Sequence, residues 1–153
     1  MSKLPHNAPV GFDWVIRFTH WSQQGNALHL ALQTASGDSA ELTFQALSTH
    51  IWRMTFVPRG GQWLKTPIIP DEPTAALPLR VEETDRGLIV SGPRLSLHLD
   101  RDPWSLRLLD ENGFDVFREN PSDIDGLGRP FVFPLVFVRQ GDSITHMSHS
   151  FHL

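Results

Sequence analysis

The sequence predicts an all-β fold, an antiparallel β-sandwich, and three observations carry that prediction. Apolar and polar residues alternate at period two far more often than they recur at the i, i+3, i+4, i+7 spacing of an amphipathic helix. The alternating runs are short, about eight to ten of them, spaced at roughly 8–12 residues and bounded by Gly, Pro, Asp and Asn. A chain of 153 residues, 40% hydrophobic and 20% charged, suits one ordinary domain with a real core, so residues 1–153 are read as a single domain.

Taken in order, Leu28, Leu30 and Leu32 alternate with His29 and Ala31. The turn Ser36-Gly37-Asp38 follows, and Leu42, Phe44 and Ala46 then alternate with Glu41, Thr43 and Gln45 to complete a hairpin. Trp52, Met54 and Phe56 share a face of the next strand, with Arg53 and Thr55 on the other, until Pro58-Arg59-Gly60-Gly61 stops it. Pro67, Pro70, Pro73 and Pro78 make residues 67–78 a long loop, since each proline lacks a ladder donor.

Residues 79–83 and 88–90 pair about the turn Asp85-Arg86-Gly87, and Ser91-Gly92-Pro93 leads into Leu95, Leu97 and Leu99. Trp104, Leu106 and Leu108 form the next run, and Asp110-Glu111-Asn112-Gly113 turns it into residues 114–117. Residues 119–130, rich in Pro, Asp and Gly, read as a second long loop. Residues 131–138 are apolar on both faces apart from Pro134, so this strand needs cover twice. Residues 144–153 read as one last strand, running to the C-terminus with neither turn nor polar tail, which leads us to expect a piece of a longer chain.

Composition excludes several function classes. The net charge of -4 has no clustered sign, so a phosphate backbone finds no basic stripe and nucleic acid is not expected as a partner. There is no cysteine, hence no disulfide framework and no thiolate metal site. The start, Met1-Ser2-Lys3-Leu4-Pro5-His6-Asn7, lacks the apolar run of a signal peptide, and no stretch approaches the roughly 18 apolar residues of a membrane span. No membrane partner is expected, and a bacterial cytoplasmic location fits best.

Candidate chemistry is sparse. His146, His149 and His152 suggest a metal site, but strand alternation puts His146 and His152 on one face and His149 on the other, so ordinary polar strand positions are the reading adopted. Glu119, Asp123 and Asp125 beside Gly126 could hold calcium, although their spacing is not that of an EF-hand and a solvated turn explains them more simply. Asp100 with Asp102, and Asp110 with Glu111, fall at turns, where carboxylates shape the backbone. No Gly-x-Ser-x-Gly elbow or Gly-rich phosphate loop is present. No cofactor and no catalytic residue are therefore assigned. Of Trp14, Trp21, Trp52, Trp63 and Trp104, the second last, beside Gly60-Gly61, is the one expected to be exposed and to offer a sugar-binding platform, while core packing explains Trp52 and Trp104.

The segment His50-Ile51-Trp52-Arg53-Met54-Thr55-Phe56-Val57-Pro58 resembles a strand of the N-terminal domain of family 31 glycoside hydrolases, which include α-glucosidases and α-xylosidases. So does the order Leu88-Ile89-Val90, Leu95-Ser96-Leu97-His98-Leu99, then Asp102-Pro103-Trp104 and the Asp110-Glu111-Asn112-Gly113 turn. The likeness spans about residues 25–153 and is carried by fold-type signatures, not catalytic ones. It implies a galactose-mutarotase-like β-sandwich that braces a catalytic (β/α)₈ barrel, the barrel carrying the nucleophile and acid/base carboxylates of a retaining mechanism. On that reading the domain itself is non-catalytic, its partner is the barrel of the parent chain, and an apolar face left uncovered could drive self-association. The alternatives are a carbohydrate-binding module using Trp63 and nearby loops, or a stand-alone aldose mutarotase-like enzyme using a His and a carboxylate as acid and base.

Overall fold

The computed structural model describes residues 12–61, 77–119, 136–140, 143–148 and 151–152. They form twelve strands and no helix: β1 (Phe12–Gln24), β2 (Ala27–Thr34), β3 (Ser39–Ala46), β4 (Trp52–Pro58), β5 (Arg80–Glu83), β6 (Gly87–Ser91), β7 (Leu95–Asp100), β8 (Ser105–Asp110), β9 (Asp115–Glu119), β10 (Val136–Gln140), β11 (Ser143–Ser148) and β12 (Phe151–His152). All pairings are antiparallel and build two six-stranded sheets, ordered β11-β10-β1-β2-β3-β4 and β12-β9-β8-β7-β6-β5. The predicted β-sandwich is what the chain forms, with the hairpins of residues 28–46 and 79–90 where alternation put them.

One core joins the sheets. Leu28, Leu30, Leu32, Leu42 and Phe44 from the first pack with Leu88, Val90, Leu97, Leu99 and Leu106 from the second, each no more than 3% exposed. Strict alternation explains this, because successive side chains of a strand point to opposite faces. Trp52, Met54 and Phe56 pack against the same core, as their shared face predicts. Each fully buried Leu or Val contributes about 1.5–3 kcal/mol by leaving water.

The sequence reading missed the longest strand, β1, of 13 residues. Its pairing with β2 jumps between Val15 and Arg17 and again between Phe18 and His20, so Ile16 and Thr19 are bulge residues. Each bulge flips the side that follows, and Val15, Phe18 and Trp21 turn inward at intervals of three instead of two. The freed backbone groups are met from the other sheet by the turn joining β7 to β8. Trp104 N–H donates to the Ile16 carbonyl at 2.8 Å, and Phe18 N–H to the Arg101 carbonyl at 3.2 Å. The Arg101 guanidinium lies 4.8 Å from the Phe18 ring centre, and Arg17 pairs with Asp102 at 3.3 Å.

Two further readings are corrected. Residues 144–153 do not form one strand: β11 lies on the first sheet against β10, and β12 on the second against β9. Ser148 and Phe151 are three peptide steps apart, a reach of at most about 11 Å, which matches the roughly 10 Å between stacked sheets. Glu119 belongs not to a loop but to the end of β9, 2% exposed, because pairing of Phe151 with Glu119 and His152 with Arg118 prolongs that strand. Of the two long loops, residues 62–76 and 120–135 lie outside the described residues, as does most of the doubly apolar segment 131–138. Leu77 and Leu79, flanking exposed Pro78, are buried in the core.

Turn chemistry follows the residues that supply it. Gly113 adopts φ +83° in the β8–β9 turn, where Asp110 accepts from the Phe114 and Asn112 N–H groups at 2.9 Å each. Gly87 answers a close approach: a Cβ there would run into the Leu99 carbonyl oxygen. Since Leu42 sits at 0% exposure with both sheets around it, replacing Leu42 by Ala is expected to cost about 2–5 kcal/mol in denaturant unfolding. A loss below about 1 kcal/mol would show that the sheets do not close over this position.

Candidate functional site

Three concavities stand out among the described residues, and they differ in how far their polar groups are already engaged. The first lies on the outer face of the first sheet, with a volume of about 280 Å³, over β1, β2 and β3. The core-facing Leu28, Leu30, Leu32, Ala40 and Leu42 point the other way, so His29, Ala31, Glu41 and Thr43 face outward by alternation. On β1, the bulge at Thr19 brings His20 and Ser22 to the same face.

Register arranges these side chains in rows. His20 and Glu41 both stand opposite Ala31, and Ser22 and Thr43 both stand opposite His29. A third row, Gln24, Ala27 and Gln45, continues the pattern. His29 Nδ1 lies 3.2 Å from Thr43 Oγ1, which orients that ring. The side chains of His20 and Glu41 are exposed and make no hydrogen bond or ion pair among the described residues.

The second concavity, about 330 Å³, lies on the outer face of the second sheet and is lined by Arg86, His98, Asp100, Ser105 and Arg107. Its charges are spoken for. Arg86 pairs with Asp100 at 3.0 Å and Arg107 with Asp115 at 3.0 Å. Burial first, and the Arg107 guanidinium second, hold the His98 imidazole below its ordinary range, against the opposing pull of Asp100 and Asp115.

The third concavity, about 230 Å³, is apolar and lined by Phe44, Trp52, Met54, Leu95, Leu97 and Phe117, with Ile51 at 58% exposure beside it. Trp52 rests on the β6–β7 turn, where a Cβ on Gly92 would lie 2.8 Å from its ring. The indole N–H of Trp52 is buried without a hydrogen-bond partner among the described residues.

The sequence-predicted candidates distribute as follows. Trp14 and Trp104 are buried, and Trp21 and Trp52 pack against the core. Trp63, the expected sugar platform, lies outside the described residues, as do His149, Asp123, Asp125 and Gly126. His146 and His152 stand on different sheets, opposite Val138 and Arg118 respectively, which corrects the expectation that they share a face. Asp100 and Asp102 serve ion pairs to Arg86 and Arg17, and Glu111 lies 3.5 Å from Arg94. The Asp110 carboxyl is held below its usual range chiefly by the Phe114 N–H, the turn role expected of it.

The sequence sets His29 and Glu41 in alternation with the leucines of their strands but does not show the site they share with His20. The missing signal was β1, whose three-residue inward spacing of Val15, Phe18 and Trp21 is legible once two bulges are allowed.

No family model matches the chain, and no curated protein matches it. Solved structures do. An uncharacterized protein from Listeria monocytogenes EGD-e matches with a TM-score of 0.60 and 17% identity, over 82% of this chain and 10% of that one. Its structure in complex with α-D-glucose, β-D-glucose, magnesium and calcium gives a TM-score of 0.61 over the same shares. The cycloalternan-forming enzyme from Listeria monocytogenes, in complex with a pentasaccharide substrate, matches with a TM-score of 0.60 and 17% identity, again over 82% and 10%. The chain thus spans about a tenth of the length of the proteins it matches, and the likeness is one of fold: a β-sandwich of the kind carried by larger sugar-active enzymes.

His98 supplies a test of the site electrostatics. The folded state favours the neutral imidazole, so the unfolded chain binds the proton more readily. Stability is complete above the unfolded value of about 6.5 and is lost as pH falls through the lowered native value. Denaturation midpoints measured from pH about 7.5 to about 5 should fall less steeply in His98→Gln than in the parent; parallel slopes would refute the assignment.

Proposed function

We propose that this chain is the non-catalytic N-terminal sandwich of an α-glucosidase-like glycoside hydrolase of family 31, bracing a catalytic (β/α)₈ barrel and shaping the mouth of its pocket. The observation that carries the reading is the match of 82% of this chain to 10% of far longer carbohydrate-active proteins. The order of motifs in residues 50–58 and 88–113 supports the family and the galactose-mutarotase-like form of the sandwich.

The described residues fit an accessory role. Apart from Glu119, buried at the end of β9, their carboxylates serve turns and ion pairs, or stand singly, as Glu41 does; a retaining glycosidase needs two carboxyl groups about 5–5.5 Å apart across a cleft. Exposed Ile51, Phe114 and Val116, at 58, 71 and 40%, support a neighbour packed on this domain, the barrel in the parent chain or a second copy in its absence. The parent's chemistry is then retaining hydrolysis of α-glycosidic bonds, with its carboxylates supplied by the barrel. The absence of cysteine is in keeping with a reducing bacterial cytoplasm.

A second reading, a carbohydrate-binding surface, is favoured by the first concavity, where the side chains of His20 and Glu41 are exposed and have no partner among the described residues.

The accessory reading is tested by incubating the purified 153-residue chain with 4-nitrophenyl α-glucoside and with maltooligosaccharides. No release of nitrophenol or glucose above the uncatalysed rate is expected. Turnover abolished by substituting a carboxylate of this chain would overturn the reading.

A further inference from the structure

We infer that the outer face of the first sheet holds a seat for one pyranose ring of a neutral saccharide, centred on Ala31 between His20 and Glu41. The inference deepens the second reading above and rests on it. It begins with register: His20 and Glu41 stand opposite the same residue from the strands on either side. Two inter-strand steps separate their backbones by about 9.6 Å. Ala31 between them carries a single methyl group, so the space above it is open, and a concavity of about 280 Å³ occupies it.

The chemistry lining that space matches a sugar ring. A pyranose presents an apolar face of C–H groups and a rim of hydroxyls that both donate and accept. The Ala31 methyl offers the apolar floor. The Glu41 carboxylate, an acceptor, can take hydrogen bonds from two neighbouring hydroxyls at once. His20 in its neutral form offers one donor and one acceptor on the opposite wall. His29 and Thr43, joined at 3.2 Å, add a pre-oriented pair along the next row. Small-molecule sites commonly set a small number of placed polar groups around an apolar surface.

Engagement separates this face from the other. On the second sheet the arginines of the comparable concavity are neutralised by Asp100 and Asp115 at 3.0 Å. On the first sheet His20 and Glu41 have no partner among the described residues. The Glu41 carboxylate on one wall disfavours anionic ligands and leaves neutral sugars.

Isothermal titration of the 153-residue chain with maltopentaose and with methyl α-glucoside, alongside NMR spectra of the histidine ring protons, tests the seat. Saturable binding is expected, with shifts at His20 and His29. Glu41→Ala should weaken it about tenfold, the loss of roughly 1.4 kcal/mol that removing a charge-assisted hydrogen bond entails. Ala31→Leu, which fills the floor, should remove it, while Arg107→Ala on the opposite sheet should leave it within twofold. Both first-sheet positions are solvent-facing, and unchanged circular dichroism and denaturation midpoints confirm folding; if Ala31→Leu fails to fold, Glu41→Ala decides alone. Binding that survives Glu41→Ala undiminished overturns the seat and leaves carbohydrate binding elsewhere on the domain standing. No saturable response to either saccharide overturns the seat and the carbohydrate-binding reading together, and does not touch the accessory reading.

Discussion

Two backbone hydrogen bonds, from Trp104 to Ile16 and from Phe18 to Arg101, tie the sheets together at the bulges of β1, and much of what this domain presents to its surroundings depends on them. A bulge leaves backbone groups outside its own ladder, and buried groups of that kind are costly without partners. The turn joining β7 to β8 supplies the partners. Because it does, β1 can change the side it buries twice within 13 residues. Val15, Phe18 and Trp21 enter the core, and His20 and Ser22 emerge on the outer face. A β1 with unbroken alternation would turn either Phe18 or Trp21 out of the core.

The two outer faces then diverge. On the second sheet, Arg86, Asp100, Arg107 and Asp115 pair with one another, and pairs on so exposed a surface contribute little to stability individually. What they do is occupy one another's hydrogen-bonding capacity. On the first sheet, small Ala27 and Ala31 run down β2 between polar walls on β1 and β3, and the side chains of His20 and Glu41 are exposed to solvent. The apolar concavity beside Trp52 is of a third kind, defined by side chains that belong to the core but lie at its rim.

Much of this was legible in the sequence where the period of two holds. Leu28 to Leu32 and Leu42 to Ala46 bury the residues their alternation names, as do Leu97 and Leu99 with Leu95 half-buried against the core, and Gly113 with Asp110 marks its turn by composition alone. Legibility failed where a register is set by a distant partner. The bulges of β1 are fixed by a turn some 85 residues away in sequence, as the Arg17–Asp102 pair measures. The change of sheet between Ser148 and Phe151 is fixed by the spacing of the layers, which no local pattern records. The site at Ala31 was hidden for the same reason: Glu41 and His29 were visibly outward, but the wall carrying His20 exists only once β1 is in place.

The sandwich closes one core beneath two solvent-facing outer surfaces, and it shares its fold with a tenth of the length of much larger proteins. The physical claim beneath it is that the bulge-to-turn bonds make the two sheets one cooperative unit. Native-state amide hydrogen exchange measures this directly. The account predicts that core amides of the first sheet, such as Leu30 and Leu42, exchange with the same free energy and denaturant dependence as Leu97 and Leu106 of the second. Exchange of one sheet at a clearly lower free energy than the other would contradict it.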